Sequence, residues 1–175
     1  MNNFRYFLQY ISIILFFLFF KLIGLKFASI ISENIVKFFG PLFRSKKIIS
    51  QNIQKAFPNI NSNQKKDLIK KMWSNYGKIL AEYIFIKDFR HKISFQKKIK
   101  VINQKILNNI INDKSPVIFI SGHFNNFELM AMHIEKSGVD LAAVYRPLNN
   151  KFLNPIMEKL RKKYICKYQI KKGIP

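Results

Sequence analysis

From Tyr6 to Phe20 no charged residue interrupts a run of apolar and aromatic positions, and Arg5 and Lys21 bracket it. A helix needs about 20 such residues to cross a bilayer, with about 17 as the lower limit. Lys21 can snorkel to the surface, and Leu22, Ile23, Gly24 and Leu25 extend the apolar face. The run predicts an uncleaved membrane anchor over residues 1–24. It ranks above two rivals, a cleaved signal peptide and a helix lying in the membrane interface. Lys21 and Lys26 stand where a small-residue cleavage site belongs. More positive charge follows the run than precedes it (Lys21, Lys26, Lys37, Arg44, Lys46, Lys47), which places the remainder in the cytoplasm.

Residues 25–92 carry helical patterning. The first helix is expected over Leu25–Phe39, stopped by Gly40-Pro41. A short helix follows Arg44 and ends at Ala56-Phe57-Pro58. Asn61 or Ser62 then caps a long helix, in which Leu68, Ile69, Met72, Trp73, Tyr76, Ile79, Leu80 and Tyr83 recur at spacings of three and four. Trp73 and Tyr76 are read as core residues of that stripe.

From about residue 93 to 175 the period changes. Lys98–Ile102 is expected as a strand and the stretch through Ile106, Leu107, Ile110 and Ile111 as a helix. Pro116–Ile120 is a continuous β-branched and aromatic run, the pattern of a strand buried on both faces. A helix over Asn125–Lys136, a strand over Val139–Tyr145 and a helix over Asn154–Tyr164 complete the alternation. Such an order defines an α/β class with a mostly parallel sheet and flanking helices.

Charge narrows the partners. Lys and Arg number 31 against 9 acidic residues, a net charge of +22, which calls for an anionic partner. The basic residues are mostly scattered Lys, whereas base-edge reading favours Arg, so a nucleic-acid partner is set aside. The 18 Phe cluster near the N-terminus, a lipophilic rather than base-stacking distribution. The single cysteine, Cys166, leaves no disulfide framework and no multi-cysteine zinc site; it is read as structural.

Candidate chemistry lies in Ser121-Gly122-His123-Phe124-Asn125-Asn126-Phe127-Glu128. Ligands of open α/β sheets bind beyond the carboxyl ends of strands, which is where the pattern puts His123. On one helix, side chains five residues apart diverge by about 140°. With His123 in a turn and Glu128 in the first helical turn, the two can converge. A neutral imidazole can take the proton of a hydroxyl as that oxygen attacks a thioester, and a carboxylate on the other ring nitrogen would fix the tautomer. Asn125 and Asn126, at the helix N-terminus, are candidates for holding an oxyanion or phosphate. His-x4-Glu alone is a weak signal. His133 and Glu135 do not complete a zinc pattern, so neither metal nor cofactor is expected, and His91 and His133 are read as structural. Arg146, in Tyr145-Arg146-Pro147-Leu148, closes a strand and is suited to a phosphate or carboxylate; a solvated turn is the equal alternative.

Four ordered blocks together resemble one family. Asn52-Ile53-Gln54-Lys55-Ala56-Phe57-Pro58, Trp73-Ser74-Asn75-Tyr76-Gly77-Lys78 with Glu82, Gly122-His123-Phe124-Asn125-Asn126-Phe127-Glu128 and Tyr145-Arg146-Pro147-Leu148 are similar to blocks of the bacterial lipid A biosynthesis acyltransferases, the late-acting lauroyl and myristoyl transferases. The resemblance implies a glycerolipid-acyltransferase-like α/β domain on the cytoplasmic face of the bacterial inner membrane. It implies an acyl carrier protein thioester as donor and a hydroxyl-bearing acyl chain of a lipid A precursor as acceptor. It makes His123 the base, Glu128 its partner and Arg146 a phosphate contact. Asn125 stands where the family has Gly, and Phe127 where it has Trp. The family's pattern continues beyond Pro175, so residues 93–175 are expected to be the first part of an incomplete domain. The runner-up is an acyltransferase for another phospholipid or glycolipid acceptor, and the third reading is a non-catalytic basic fragment that binds membrane or nucleic acid.

Overall fold

A computed structural model describes residues 2–173. In chain order its elements are α1 (Asn2–Phe43), α2 (Lys46–Ala56), α3 (Ser62–Ile84), α4 (Ile86–His91), α5 (Ile93–Gln96), α6 (Gln104–Asp113), α7 (Phe127–Lys136), β1 (Ala142–Tyr145), α8 (Asn154–Tyr164) and β2 (Tyr168–Lys171). The chain folds as two compact units. One comprises Leu18–Ile84; the other joins the residues up to Phe17 with the chain from Phe85 onward.

In the Leu18–Ile84 unit, α1 is two helices end to end, broken at Gly24 with φ 79° and ψ 163°. An L side chain is strained there, so glycine is what permits the break. The expected stop at Gly40-Pro41 is not where the helix ends; it runs on to Phe43, with Pro41 inside its last turn. A proline so near a C-terminus removes a single helical hydrogen bond, and few residues follow to be disrupted. Gly40 serves packing instead, because a Cβ there would run into the Trp73 indole.

The break at Ala56-Phe57-Pro58 and the capped long helix lie where the pattern puts them. The Asn61 side chain accepts from the backbone N–H of Asn63 and Gln64 at 3.1 and 2.9 Å. The Gln64 side chain accepts from the Asn61 N–H at 3.2 Å, completing a capping box. The buried face of α3 matches the expected stripe only in part: Tyr83 is buried as expected. Tyr76 and Leu80 are exposed, whereas Gly77 and Ala81 are buried. Small residues bring helix backbones close: a Cβ on Gly77 would lie 2.5 Å from the Ser32 carbonyl oxygen and 2.6 Å from the Glu33 Cα. Glu33 beside it accepts from Ser74 Oγ at 2.6 Å and pairs with Lys37 at 2.7 Å and Lys78 at 3.4 Å. Gly77→Ala is therefore expected to destabilise this unit by about 1–3 kcal/mol through overpacking against backbone that cannot yield. A urea titration of the detergent-solubilised protein checks this, and an unchanged midpoint would refute it.

In the other unit, α8 links β1 to β2, which pair in parallel from Ala142 opposite Tyr168 to Tyr145 opposite Lys171. Phe85, Ile86, Phe89, Leu107, Met132, Ile134, Ile165 and Cys166 form its core. Arg90 ties the layers together, pairing with Glu135 at 2.7 Å and donating to the Tyr164 carbonyl at 3.2 Å. Helices predominate around this small parallel sheet, an arrangement compatible with the α/β class.

Two expected strands are helical turn or irregular chain instead. The turn after α5 ends with Lys98 N–H on the Phe95 carbonyl at 3.0 Å and Ile99 N–H on that of Gln96 at 2.9 Å, and the chain beyond is irregular to Ile102, which is exposed. Pro116–Ile120 forms no strand, and Ile118 and Ile120 are 90 and 93 % exposed. β-Branched residues favour extended backbone. A strand also needs a paired neighbour, and β1 gives its ladder to β2 while the 116–119 stretch and β1 both line one open cleft.

Candidate active site

The cleft has a volume of about 1150 Å³. Apolar residues such as Ile110, Val117, Phe119, Met130 and Ile134 line it together with His123, Glu128, Arg146 and Arg161. Three residues that the sequence marks as chemical thus border one space. Asn125 and Asn126 are not in its lining.

The turn from 121 to 126 sets up this placement. Asn125 holds φ at 52°, a left-handed conformation that Asn adopts more readily than other residues with a Cβ. It can therefore stand where the related pattern has Gly. At Gly122 the exposed Phe124 ring folds back over the backbone, where a Cβ would displace it. Asn126 is buried as the residue before α7, and its carbonyl accepts from the Leu129 N–H at 3.1 Å. These two asparagines shape the turn.

His123 is exposed, and its imidazole meets the Phe127 ring edge-on with centroids 4.4 Å apart. Glu128 is buried in the first turn of α7. Its partner is Arg161 of α8, whose Nε and Nη2 donate to Oε1 at 2.9 and 2.6 Å. Among the described residues no hydrogen bond joins His123 to Glu128. Both of these Arg161 N–H groups converge on one carboxylate oxygen, Oε1.

Arg161 is the site residue that the sequence reading missed, although a signal was present. Met157 and Tyr164 flank it at four and three residues on one face of α8, so a cation sits on an apolar stripe. Glu128 likewise shares a face of α7 with the buried Met132. A cation on one inward face and a carboxylate on another are expected to pair, because burying either alone is costly.

A second polar chain runs from β1. Tyr145 Oη donates to Glu158 Oε1 at 2.6 Å, and Asn154 and Lys171 donate to the same oxygen at 2.7 and 3.2 Å. Partial burial, followed by the bond to Glu158, pushes the Tyr145 phenol up to about 12. The Tyr145 hydroxyl, with Asn154 and Lys171, holds the Glu158 carboxyl below its usual range. The Arg161 guanidinium lies 5.9 Å from the Tyr145 ring centroid, which brings this chain against the Glu128–Arg161 pair. Asn154 Oδ1 also accepts from the Leu148 N–H at 2.8 Å, holding the loop that follows Arg146. Arg146 itself is exposed at the cleft, directly after β1, and among the described residues no ion pair engages it.

A cleft that joins an apolar wall to an imidazole, a buried carboxylate and a free guanidinium suits a lipid substrate and proton transfer. The family model for bacterial lipid A biosynthesis acyltransferases matches residues 1–171, and the chain belongs to that family. It is accordingly an acyltransferase of lipid A biosynthesis, from a family of membrane-associated bacterial enzymes. The apolar helix Asn3–Phe43, long enough to cross a membrane, fits an anchor in such an enzyme. No curated protein and no solved structure matches the chain.

Proposed function

We propose that the cleft transfers a fatty acyl chain from an acyl carrier protein thioester to a hydroxyl on an acyl chain of a lipid A precursor, at the cytoplasmic face of the bacterial inner membrane. One observation carries this reading: His123, the only imidazole among the cleft-lining residues named, borders an apolar space of about 1150 Å³ together with Arg146. The apolar wall suits the acyl chain, and the arginine suits a phosphate of the acceptor.

In the reaction His123 accepts the proton of the attacking hydroxyl as its oxygen bonds to the thioester carbonyl carbon. The carbonyl electrons move to an oxyanion beside the N-terminus of α7, where helical N–H groups and the dipole favour negative charge. Collapse of the tetrahedral species breaks the carbon–sulfur bond, and the imidazolium returns the proton to the departing thiolate. Glu128, fixed by Arg161, offers its carboxylate to the imidazole and stabilises its charged form once the ring turns toward α7. Asn125 and Asn126 hold the turn that carries His123. The larger glycerolipid-acyltransferase-like sheet belongs to the same reading, with β1 and β2 as two of its parallel strands. The +22 charge suits both an acidic carrier protein and a phosphorylated lipid.

The test is mass spectrometry of a lipid A precursor incubated with the protein and an acyl-loaded carrier protein. The product is expected to gain one acyl group. Gain on a glycerophospholipid alone would move the assignment to another acceptor, and gain on neither would overturn it.

A further inference from the structure

The chain that leaves β1 carries Arg146, and it is fixed at two points. Tyr145 is the first. Its carbonyl accepts from the Lys172 N–H at 2.8 Å, and its phenol donates to Glu158 Oε1 at 2.6 Å. Leu148 is the second, where the backbone N–H donates to Asn154 Oδ1 at 2.8 Å. Asn154 is itself held, because its amide Nδ2 donates to the same Glu158 oxygen at 2.7 Å. Both fixed points therefore lead to one carboxylate, and between them lie just Arg146 and Pro147.

Glu158 has the position and the charge for such a clamp. It stands four residues after Asn154 on α8, so the two side chains share one face of that helix. Lys171, which ends β2, adds a charged contact at 3.2 Å, and the Glu158 side chain is 17 % exposed. One oxygen thus draws together α8, β1 and β2. Hydrogen bonds to an ionised acceptor are stronger than those between neutral groups. Pro147 has its φ set by its own ring, which leaves the two-residue bridge little freedom. A fixed backbone matters at Arg146, because ordering a long side chain and its loop on binding costs affinity.

We propose that Glu158 is a positioning residue for the acceptor: through Tyr145 and Asn154 it fixes the Arg146–Pro147 bridge, so that the Arg146 guanidinium meets a phosphate already in place. The carboxylate is not among the residues that line the cleft, and its effect reaches the acceptor through Arg146. Glu128 and Arg161 bond to one another without it, so the chemical step is spared. The inference rests on the reading of Arg146 as the phosphate contact and is independent of the roles given to His123 and Glu128.

Two readouts on the full chain in detergent test it. Hydrogen–deuterium exchange at the Leu148 amide reads the clamp without any substrate. Glu158→Ala is expected to speed that exchange about tenfold or more, as is Asn154→Ala. Glu158→Gln keeps an acceptor oxygen for Tyr145 and Asn154 and should exchange as the parent does. Unchanged exchange in Glu158→Ala would overturn the proposal, whatever the acceptor proves to be. Steady-state transfer from acyl-loaded carrier protein to a lipid A precursor reads the consequence. Glu158→Ala should raise the acceptor KM about five- to tenfold and leave kcat within about twofold, the mark of lost uniform binding. Adding Glu158→Ala to Arg146→Ala should raise KM no further, since both act through one group. Additive effects, or a fall in kcat alone, would leave Glu158 a purely structural role. If Glu158→Ala does not fold, Tyr145→Phe removes one arm of the clamp and keeps the ring; it should raise KM in the same way, and an unchanged KM counts against the proposal. Faster exchange with an unchanged KM in Glu158→Ala and Arg146→Ala alike would remove Arg146 from acceptor binding, and the positioning role with it. A wrong clamp and a wrong phosphate contact therefore give different results.

Discussion

Replacing His123 by alanine is expected to lower the rate of acyl transfer about 10²–10⁴-fold, the span over which a positioned general base contributes. The fall should appear in kcat, with little change in KM for the acceptor, because the imidazole acts on the proton in flight rather than on the bound ground state. Stability should hardly move. The ring is exposed and its contact is with the Phe127 edge, so no buried polar group is orphaned when it is removed. The measurement is radiolabelled acyl transfer under saturating donor, alongside a thermal melt of each protein. Activity within about threefold of the parent would take the proton-transfer role away from His123, since even the weakest general bases exceed that. A lower melting temperature with proportionate loss of activity would assign the residue to folding instead.

The parts of this molecule that local chemistry decides are the parts the sequence reveals. The capping box at Asn61–Gln64, the proline break at Pro58 and the helix Asn154–Tyr164 each depend on side chains within a few residues of one another. Strand placement is different. Pro116–Ile120 is the more apolar and β-branched of the two expected strands, yet among the described residues it is Ala142–Tyr145, within Val139–Tyr145, that has a partner to pair with. Pairing is a property of distant chain and leaves no trace in a short apolar run. The buried face of α3 was obscured for a related reason. Bulk draws attention to Tyr76 and Leu80, whereas close helix approach selects Gly77 and Ala81, whose value lies in the atoms they lack. Within the site, the motif led to His123, Glu128 and Arg146 because each lies in or beside a short block. Arg161 is 33 residues from Glu128, and only its position on an apolar stripe hints at the pairing.

Arg161 carries the second large effect. With side chains 19 and 9 % exposed, the Arg161–Glu128 pair is largely removed from water. Arg161→Ala strands the carboxylate in that position, a loss expected to cost about 3–5 kcal/mol when one partner of a buried pair is deleted. Arg161→Lys keeps the charge but replaces a planar group that places two N–H donors on Oε1 with a single ammonium, and should fall in between. The informative protein is the double variant Glu128→Gln with Arg161→Met. Removing both charges together should restore much of the stability lost by Arg161→Ala, because the penalty comes from the unpaired ion and not from absence of the pair. Denaturant midpoints of the four proteins in one detergent decide the matter. A single-variant loss below about 1 kcal/mol would class the pair with exposed ion pairs. Failure of the double variant to recover would mean that Arg161 holds more than Glu128, and the Tyr145 ring against its guanidinium is the next contact to remove. Catalysis separates the roles further: if Arg161 acts by holding Glu128 beside the imidazole, the stable double variant should remain as slow as Glu128→Gln alone.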